Sequence, residues 1–358
     1  MKILHIIDGL GTGGAEKLLT EIVPGLVEEG CQVDVLLLNG EITPFYKKLE
    51  DGGCCNIFSL GNRFYHPLYV IKIIPYLSKY DVVHVHLFPA QYFAALAKMI
   101  GNKNVKLIFT EHSTSNNRIE NNKFKRIEKF IYSFYNKIIC ITHGVKSKLI
   151  EKLDIPEEKL VVIENGINIQ DIKNAPKANR IDFGYSENDR LLIMVASFRP
   201  NKDQDTLIRT LSLLPNNYKL ILVGDGGDRR EIVKNLAKSL KVENRINFLG
   251  IRADVYSLLK MCDIAILSSH AEGFGLAAVE SMVCGIPLVA SNVDGLAQVV
   301  NGGGMLFEKG NEEDLKSKII SLEDKDYYIK VAERGLAKAY EFDIKKMIQS
   351  TLELYSSL

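Results

Sequence analysis

A chain of 358 residues is too long for one ordinary domain and, at about 150 residues each, divides into roughly two. Its 46% hydrophobic and 25% charged residues are those of a soluble globular protein, and a net charge of +1 excludes a global pull toward nucleic acid or any other polyanion. The first residues, Met1-Lys-Ile-Leu-His-Ile-Ile-Asp8, lack the apolar core and cleavage site of a signal peptide, and no run approaches the ~20 apolar residues that span a bilayer.

In chain order, strands and helices alternate. Apolar runs at Lys2–Ile7, Gln32–Leu38, Val82–Val85, Val105–Phe109, Lys137–Ile141 and Leu160–Ile163 predict strands, with amphipathic helices at Glu16–Glu29, Pro67–Leu77 and Ala90–Ile100. The polar segment Asp171–Arg190, with Pro176 and Gly184 and no periodicity, reads as a linker. A second series follows at Leu191–Ala196, Tyr218–Val223, Arg245–Phe248, Ile264–Leu267, Pro287–Ala290 and Gly304–Phe307. Its helices are expected at Asp205–Leu214, Arg229–Leu240, Asp254–Met261, Gly275–Cys284, Glu312–Leu322 and Asp326–Tyr340. Such alternation implies two doubly wound α/β domains, each a mostly parallel sheet that binds ligands beyond the carboxyl ends of its strands. Facing each other, they would place both sets of strand ends on one cleft.

The six cysteines, Cys31, Cys54, Cys55, Cys140, Cys262 and Cys284, form no C-x-x-C pair, so zinc and redox motifs fail. Cys140, Cys262 and Cys284 lie in apolar contexts and read as reduced core residues, which places the chain in the cytoplasm.

Gly9-Leu-Gly-Thr-Gly-Gly14 satisfies the dinucleotide pattern G-x-G-x-x-G, but the next strand ends Leu38-Asn39-Gly40 without the ribose-binding acid. The loop reads equally as a tight turn or as a wall that a substrate approaches. His84 and His86 share a strand face, and His84 reads as a structural residue. His112, beyond the strand Val105–Phe109, is open to two readings, a ligand of a substrate hydroxyl or a satisfied structural residue. Arg118–Lys137 interleaves cations with Phe124, Phe130, Tyr132, Phe134 and Tyr135. It suits an anionic membrane surface, an ordinary surface helix with inward aromatics, or more weakly RNA, for which the chain offers no basic groove.

In the second half, Arg199 and Lys202 follow the strand Leu191–Ala196, where a phosphate would lie. As an isolated pair they would be solvated loop cations; a glycine loop at the same sheet edge favours phosphate. That loop is His270-Ala-Glu-Gly-Phe-Gly275, between the strand Ile264–Leu267 and a helix from Leu276. Strand, glycine loop and helix direct bare amides and a positive helix end at an anion, and Glu272 and Glu280 remain for hydroxyl groups. Gly224-Asp-Gly-Gly227 and Gly302-Gly-Gly304 are further glycine loops, and backbone around Arg252 could read a base edge. Asp203-Gln-Asp205 and Asp324-Lys-Asp326 spell D-x-D, but read as a helix N-cap and a surface turn rather than metal ligands.

Together these motifs resemble the group 1 glycosyltransferases, glycosyltransferase family 4, whose members are retaining enzymes of the GT-B fold. The resemblance spans nearly the whole chain through Gly13-Gly14-Ala-Glu16, His112, Glu164-Asn-Gly166, Arg199 with Lys202, Gly224-Asp-Gly226, Glu272-Gly-Phe-Gly275 through Glu280, and Gly285-Ile-Pro-Leu-Val-Ala290. It implies two Rossmann-like domains facing across a deep cleft: an acceptor-side domain at 1–172 and a nucleotide-sugar domain at 173–341. A last helix at 342–358 would pack back on the first. It further implies that Arg199 and Lys202 neutralise the leaving diphosphate, and that Gly275 and Leu276 bind its distal phosphate through their amides. Glu280 would take the ribose, and Glu272 and His112 the transferred sugar. Gly13 and Gly14 would line the acceptor side and approach the donor phosphates, and Gly224, Arg252, Gly273 and Phe274 complete the donor contacts. Two positions depart from the family: Gln298 stands where an acid is usual, and Ser197-Phe198 where glycine is common.

The resulting expectation is a metal-independent retaining transferase without a cofactor. It would move a hexose or N-acetylhexosamine from a UDP-sugar to a glycan or lipid-linked glycan of the cell surface. It would work in the cytoplasm, at the inner face of the plasma membrane through Arg118–Lys137, and bind no nucleic acid. A sugar-nucleotide epimerase of similar fold and a non-catalytic nucleotide-sugar binder are the rival readings.

Overall fold

The computed structural model describes residues 1–101, 104–113 and 117–358. The chain divides into two compact units, Met1–Ile167 with Ile344–Leu358, and Asn168–Asp343. The first contains β1 (Lys2–Ile7), α1 (Gly14–Glu28), β2 (Gln32–Leu37), α2 (Pro44–Asp51), β3 (Asn56–Ser59), α3 (Tyr69–Leu77) and β4 (Val82–His86). It continues with α4 (Ala90–Ile100), β5 (Lys106–Glu111), α5 (Asn117–Glu120), α6 (Asn122–Ser133), β6 (Lys137–Cys140), α7 (His143–Leu153) and β7 (Leu160–Val162). The second contains α8 (Ile169–Asn174), β8 (Arg190–Val195), α9 (Gln204–Leu213), β9 (Tyr218–Val223), α10 (Gly227–Ser239), β10 (Ile246–Gly250) and α11 (Val255–Met261). It closes with β11 (Ile264–Leu267), α12 (Leu276–Val283), β12 (Leu288–Ser291), α13 (Leu296–Val300), β13 (Met305–Phe307), α14 (Glu312–Ser321) and α15 (Lys325–Ala339). The final helix, α16 (Ile344–Ser356), belongs to the first unit.

Each unit is built on one sheet whose strand pairs are all parallel, in the orders β3-β2-β1-β4-β5-β6-β7 and β10-β9-β8-β11-β12-β13. The sequences of the inner strands explain this. Lys-Ile-Leu-His-Ile-Ile of β1 is buried from its second residue on, as a strand covered on both faces requires. The winding direction reverses at β1/β4 in one sheet and at β8/β11 in the other, and a crevice opens at strand ends where the order reverses.

Local chemistry sets several boundaries. Thr43, Thr142, Asp203 and Asp324 cap α2, α7, α9 and α15 by accepting from the amides of Tyr46, Val145, Thr206 and Tyr327. The helix α16 is locked by two backbone donors: Ile344 N–H to the Ile167 carbonyl at 2.9 Å and Gly166 N–H to Met347 Sδ at 3.2 Å. Ile344, Met347, Ile348, Leu354 and Tyr355 then enter the core shared by β1 and α1. Gly25 is bare there because a Cβ would collide with Ile348 Cδ1.

The segment 171–190 differs from the linker expectation. It holds the end of α8 and a 3-10 turn at Arg180–Phe183, and the unit boundary falls earlier, at Ile167/Asn168. Arg180 anchors it, donating to Asp263 Oδ1 at 2.9 Å, the Met261 carbonyl at 3.2 Å and the Asp189 carbonyl at 3.1 Å. These contacts span up to 83 residues, so local periodicity carries no trace of them. Cys140 and Cys262 are buried, whereas Cys284, expected in the core, is half-buried beside the Tyr256 carbonyl. Among the described residues, no helix is long and apolar enough to cross a membrane.

Ile348→Ala removes a side chain that fills the space left by Gly25. It is expected to destabilise the first unit by about 2–5 kcal/mol. Hydrogen exchange, which reads each unit separately, should show faster exchange in β1 and α1 and none of this change in β8 and β11.

Candidate functional site

In the second unit, the loops after β8 and β11 are stitched together beyond their strands. Asp203 N–H donates to the Ser268 carbonyl at 3.0 Å, and His270 N–H to the Asn201 carbonyl at 2.8 Å. Lys202 and Ser269 form an isolated bridge, and Glu272 forms another with Gly295. This stitching brings Lys202 Nζ onto Glu272 Oε2 as an ion pair, each side chain less than a fifth exposed (15% and 17%). Arg199 lies on the same loop, exposed, its guanidinium without a partner among the described residues. Gly224, at the end of β9, lies so close to Ala196 that any Cβ would strike the Ala196 carbonyl.

The start of α12 completes the anion environment. Gly275 has φ 89°, a left-handed conformation open to glycine, and a Cβ there would stand 2.6 Å from Leu296 Cδ1. Ala278 and Val279 N–H already donate to the Gly275 carbonyl, which leaves the amides of Gly275, Leu276 and Ala277 as the helix's orphan donors. Glu280 follows one turn on, 4% exposed.

Other predicted donor contacts are placed differently from one another. Gly273 is half-buried between Glu272 and Gly275. Phe274 turns inward, 2% exposed, its ring edge-on to Phe342 at 5.3 Å, so only its backbone is left for a ligand. Arg252 spends its guanidinium on Asp254 in a two-pronged pair at 2.8 and 2.6 Å. Asp254 in turn makes no side-chain cap on α11. Asp203 caps α9, and Asp205 pairs with Arg229 at 2.7 Å. Gln298 is exposed on α13.

In the first unit, the loop Gly9–Gly14 leaves β1 at the reversal point. Gly13 precedes α1 without a side-chain cap, Gly14 begins the helix, and a Cβ on Gly13 would collide with the Glu16 carboxylate. An acid therefore lies against the face that a phosphate would approach. Asp8, at the end of β1, accepts from Ala90 N–H at 2.8 Å. Burial, with Glu16 adding to it against the Ala90 bond and Arg118, raises its pKa to about 7. Glu111, at the end of β5, binds the Tyr132 hydroxyl and is likewise raised by burial to about 7.

His112 follows Glu111, half-buried. It does not stand alone. Its Nε2 lies 3.2 Å from His86 Nδ1, and His86 Nε2 lies 3.0 Å from His5 Nδ1. His84 is a satisfied core residue, with Nδ1 on the Tyr355 hydroxyl and Nε2 on Thr110 Oγ1, both at 2.6 Å. Burial keeps these rings neutral: it lowers His5 to about 3 and His112 to about 4, and His84 and His86 well below the usual range. Sequence reasoning placed His84 and His86 on one face but missed His5, which joins them because β1 pairs with β4 in register His5↔His84.

The segment Arg118–Lys137 divides between its two main readings. Tyr132 and Tyr135 are buried, while Phe124, Ile127 and Phe130 stand 45–50% exposed on α6. Arg118 is held inward, pairing with Glu128 at 2.7 Å and stacking over Phe88 at 3.8 Å.

Comparison with known proteins gives consistent matches. Residues 177–340 match the family model "Glycosyl transferases group 1", and residues 12–171 match "Glycosyltransferase Family 4". An uncharacterized glycosyltransferase of Methanocaldococcus jannaschii is 32% identical over 288 residues, 78% of this chain and 76% of the relative. The N-acetylgalactosamine-N,N'-diacetylbacillosaminyl-diphospho-undecaprenol 4-alpha-N-acetylgalactosaminyltransferase of Campylobacter jejuni is 25% identical and covers 98% of both chains. Among solved structures, Anabaena Alr3699/HepE in complex with UDP and glucose superposes with a TM-score of 0.88 at 26% identity over 100% of both chains. WaaG, a glycosyltransferase of lipopolysaccharide biosynthesis, shares the fold at TM-score 0.75 and 17% identity over 99% of both.

The buried rings and acids make stability depend on pH with a definite sign. Between about pH 4.5 and 6.5 the unfolded chain takes protons on His5, His84, His86 and His112 that the folded unit refuses. Over the same window the folded unit keeps protons on Asp8 and Glu111 that the unfolded chain has released. Four against two leaves the unfolded state with more protons, so stability should rise with pH across the window, by up to about 2.7 kcal/mol per pH unit. Urea unfolding at pH 4.5, 5.5 and 6.5 checks this; a midpoint that falls as pH rises contradicts it.

Proposed function

The chain belongs to the group 1 glycosyltransferases, glycosyltransferase family 4, and on that premise we propose a retaining, metal-independent transfer of a hexose or N-acetylhexosamine from a UDP-sugar to a glycan or lipid-linked glycan acceptor. The observation that carries the donor half is the meeting, beyond β8 and β11, of Arg199, the Lys202–Glu272 pair and the bare amides of α12.

The chemistry follows from charge. As the bond between the anomeric carbon and the diphosphate breaks, the ring gains positive charge and the leaving group negative charge. Arg199, Lys202 and the amides of Gly275 and Leu276 are cations and dipoles fixed before the reaction, which is where electrostatic stabilisation is strongest. Lys202 exchanges Glu272 for phosphate, and Glu272 is thereby released to the sugar hydroxyls. Glu280 accepts from the ribose hydroxyls, and His112 contacts the transferred sugar. The leaving phosphate itself takes the acceptor's proton on the face it vacates, so configuration is retained and no carboxylate base is required. Glu272 and Glu280 are not the acid/base pair of a glycoside hydrolase.

Support for UDP comes from HepE, solved with UDP, with UDP and glucose, and with UDP-glucose. Support for lipid-linked acceptors comes from the names of the Campylobacter relative and of an Escherichia coli relative, UDP-Gal:alpha-D-GlcNAc-diphosphoundecaprenol alpha-1,3-galactosyltransferase, 24% identical over 350 residues. With an acceptor on such a carrier, the proposed site of action is the cytoplasmic face of the membrane. The exposed Phe124, Ile127 and Phe130, flanked by Lys123, Arg126 and Lys129, are the surface assigned to that contact.

Thermal-shift screening against a panel of nucleotide sugars should select UDP-sugars, and NMR of the product should show the anomeric configuration of the donor. Lys202→Ala is expected to lower kcat by about 10²–10³; full activity would sink the phosphate assignment. In liposome flotation, Phe124→Ser with Phe130→Ser should lose binding to anionic vesicles, and an unmodified protein that stays at the bottom of the gradient removes the membrane contact.

A further inference from the structure

His5, His86 and His112 form a continuous line of imidazole contacts, His5 Nδ1 to His86 Nε2 at 3.0 Å and His86 Nδ1 to His112 Nε2 at 3.2 Å. A neutral imidazole carries one N–H and one lone pair, so each link has one donor, and the direction of the first link fixes that of the second. Either His5 donates to His86 and His86 to His112, or His112 donates to His86 and His86 to His5.

The inner end of the line decides between them. His5 Nε2 is buried and has no hydrogen-bond partner, and His5 itself is 0% exposed. If the chain ran inward, that nitrogen would carry an N–H stripped of water with nothing to receive it. If it runs outward, the same nitrogen is a bare lone pair. Orphaned buried N–H groups are the rarer and costlier of the two. The outer end is unlike the inner one: His112 is half-buried, and its Nδ1 takes no partner among the described residues.

We propose that His5 and His86 are positioning residues that hold His112 as the Nδ1–H tautomer, with its outward nitrogen an obligatory hydrogen-bond donor to a hydroxyl or carbonyl oxygen of the substrate. His86 donates to His112 Nε2 and blocks it as a donor; His5 donates to His86 Nε2 and so fixes His86. The strand pairs β1/β4 and β4/β5 set the spacing, and His84, tied on both sides by Tyr355 and Thr110, packs against His86 with ring centroids 4.2 Å apart. His112 then selects acceptor atoms on its ligand, and a ligand presenting only an N–H there is rejected. That His112 meets the sugar rests on the function proposed above; the direction of the chain does not.

Long-range 1H–15N correlation on 15N-histidine-labelled, ligand-free protein reads which ring nitrogen of each histidine is protonated. The expected result is Nδ1–H for His5, His86 and His112. His112 as Nε2–H overturns the proposal, and so does a stoichiometric metal, found by elemental analysis, bound by His5, His84 and His86. In His86→Leu, His112 should revert to mixed or Nε2–H form and kcat should fall about tenfold with donor KM within twofold. His86→Asn, whose amide N–H stands where Nδ1–H stood, should restore both. Loss of activity in His86→Leu and His86→Asn alike, with the His112 tautomer unchanged, means a merely structural role and overturns the proposal. A tautomer that switches while kcat stays put leaves the chain standing and sinks the role of His112 in the transfer. The wild-type spectrum settles the direction even where His86→Leu does not fold.

Discussion

Parallel pairing is the constraint from which the chemistry of this chain follows. When every strand of a sheet runs the same way, every strand must end at the same edge, and the loops that carry chemistry have nowhere else to be. In the second unit this brings Lys202, after β8, against Glu272, after β11, 70 residues away. In the first it brings Asp8, after β1, to the start of α4, and His112, after β5, to His86 at the end of β4. In the first unit the ladder of neighbouring strands sets the separations, whereas in the second the loops beyond β8 and β11 are held by their own backbone bonds and by the bridges Lys202↔Ser269 and Glu272↔Gly295.

At the proposed donor site, the Lys202–Glu272 ion pair would let a resting enzyme store a binding group. Lys202 and Glu272 are largely withdrawn from water, and removing either would leave the other as a poorly solvated charge. Under the proposed function, a nucleotide-sugar would offer both partners something better in one event: phosphate oxygens for the ammonium, hydroxyl donors for the carboxylate. Such an exchange would cost little because the side chains are already in place, and among the described residues Arg199 and the orphan amides of α12 have no protein acceptor to give up. Glycine at 275 is what allows the left-handed turn, φ 89°, from which α12 starts.

Much of this was legible in the sequence, and the limits are physical. Strands β1, β9 and β11 and helix α4 fall where apolar periodicity placed them, because buried inner elements are written in continuous apolar runs. The edge strand β3, Asn56–Ser59, has no fully buried residue and left no such run. The helices α2 and α7 were also missed, although Thr43 and Thr142 are good capping residues, because their apolar faces are narrow. The spacing of Glu272, Glu280, Arg199 and Lys202 pointed to one edge of one sheet, but not to the pairing of Lys202 with Glu272, which depends on the bridges Lys202↔Ser269 and Glu272↔Gly295. His5 looked like one polar residue in an apolar strand; only its register with His84 shows that four imidazoles share one face.

The two units thus answer two different ligand chemistries by opposite electrostatic means. The second offers full charges, Arg199 and Lys202, and a helix end, which suits a diphosphate whose charge grows in the transition state. The first disfavours charge at the ends of β1, β4 and β5: burial holds the pKa values of His5, His84, His86 and His112 well down and raises those of Asp8 and Glu111 to about 7. Neutral donors and acceptors of that kind recognise hydroxyl groups, which bring no charge of their own, and discriminate by the direction of each hydrogen bond rather than by its strength. Burying His5, His84 and His86 in one sheet, with His112 half-buried just beyond it, is therefore better understood as a means of keeping them uncharged than as an accident of packing, and the C-terminal helix contributes to it by closing Tyr355 over His84.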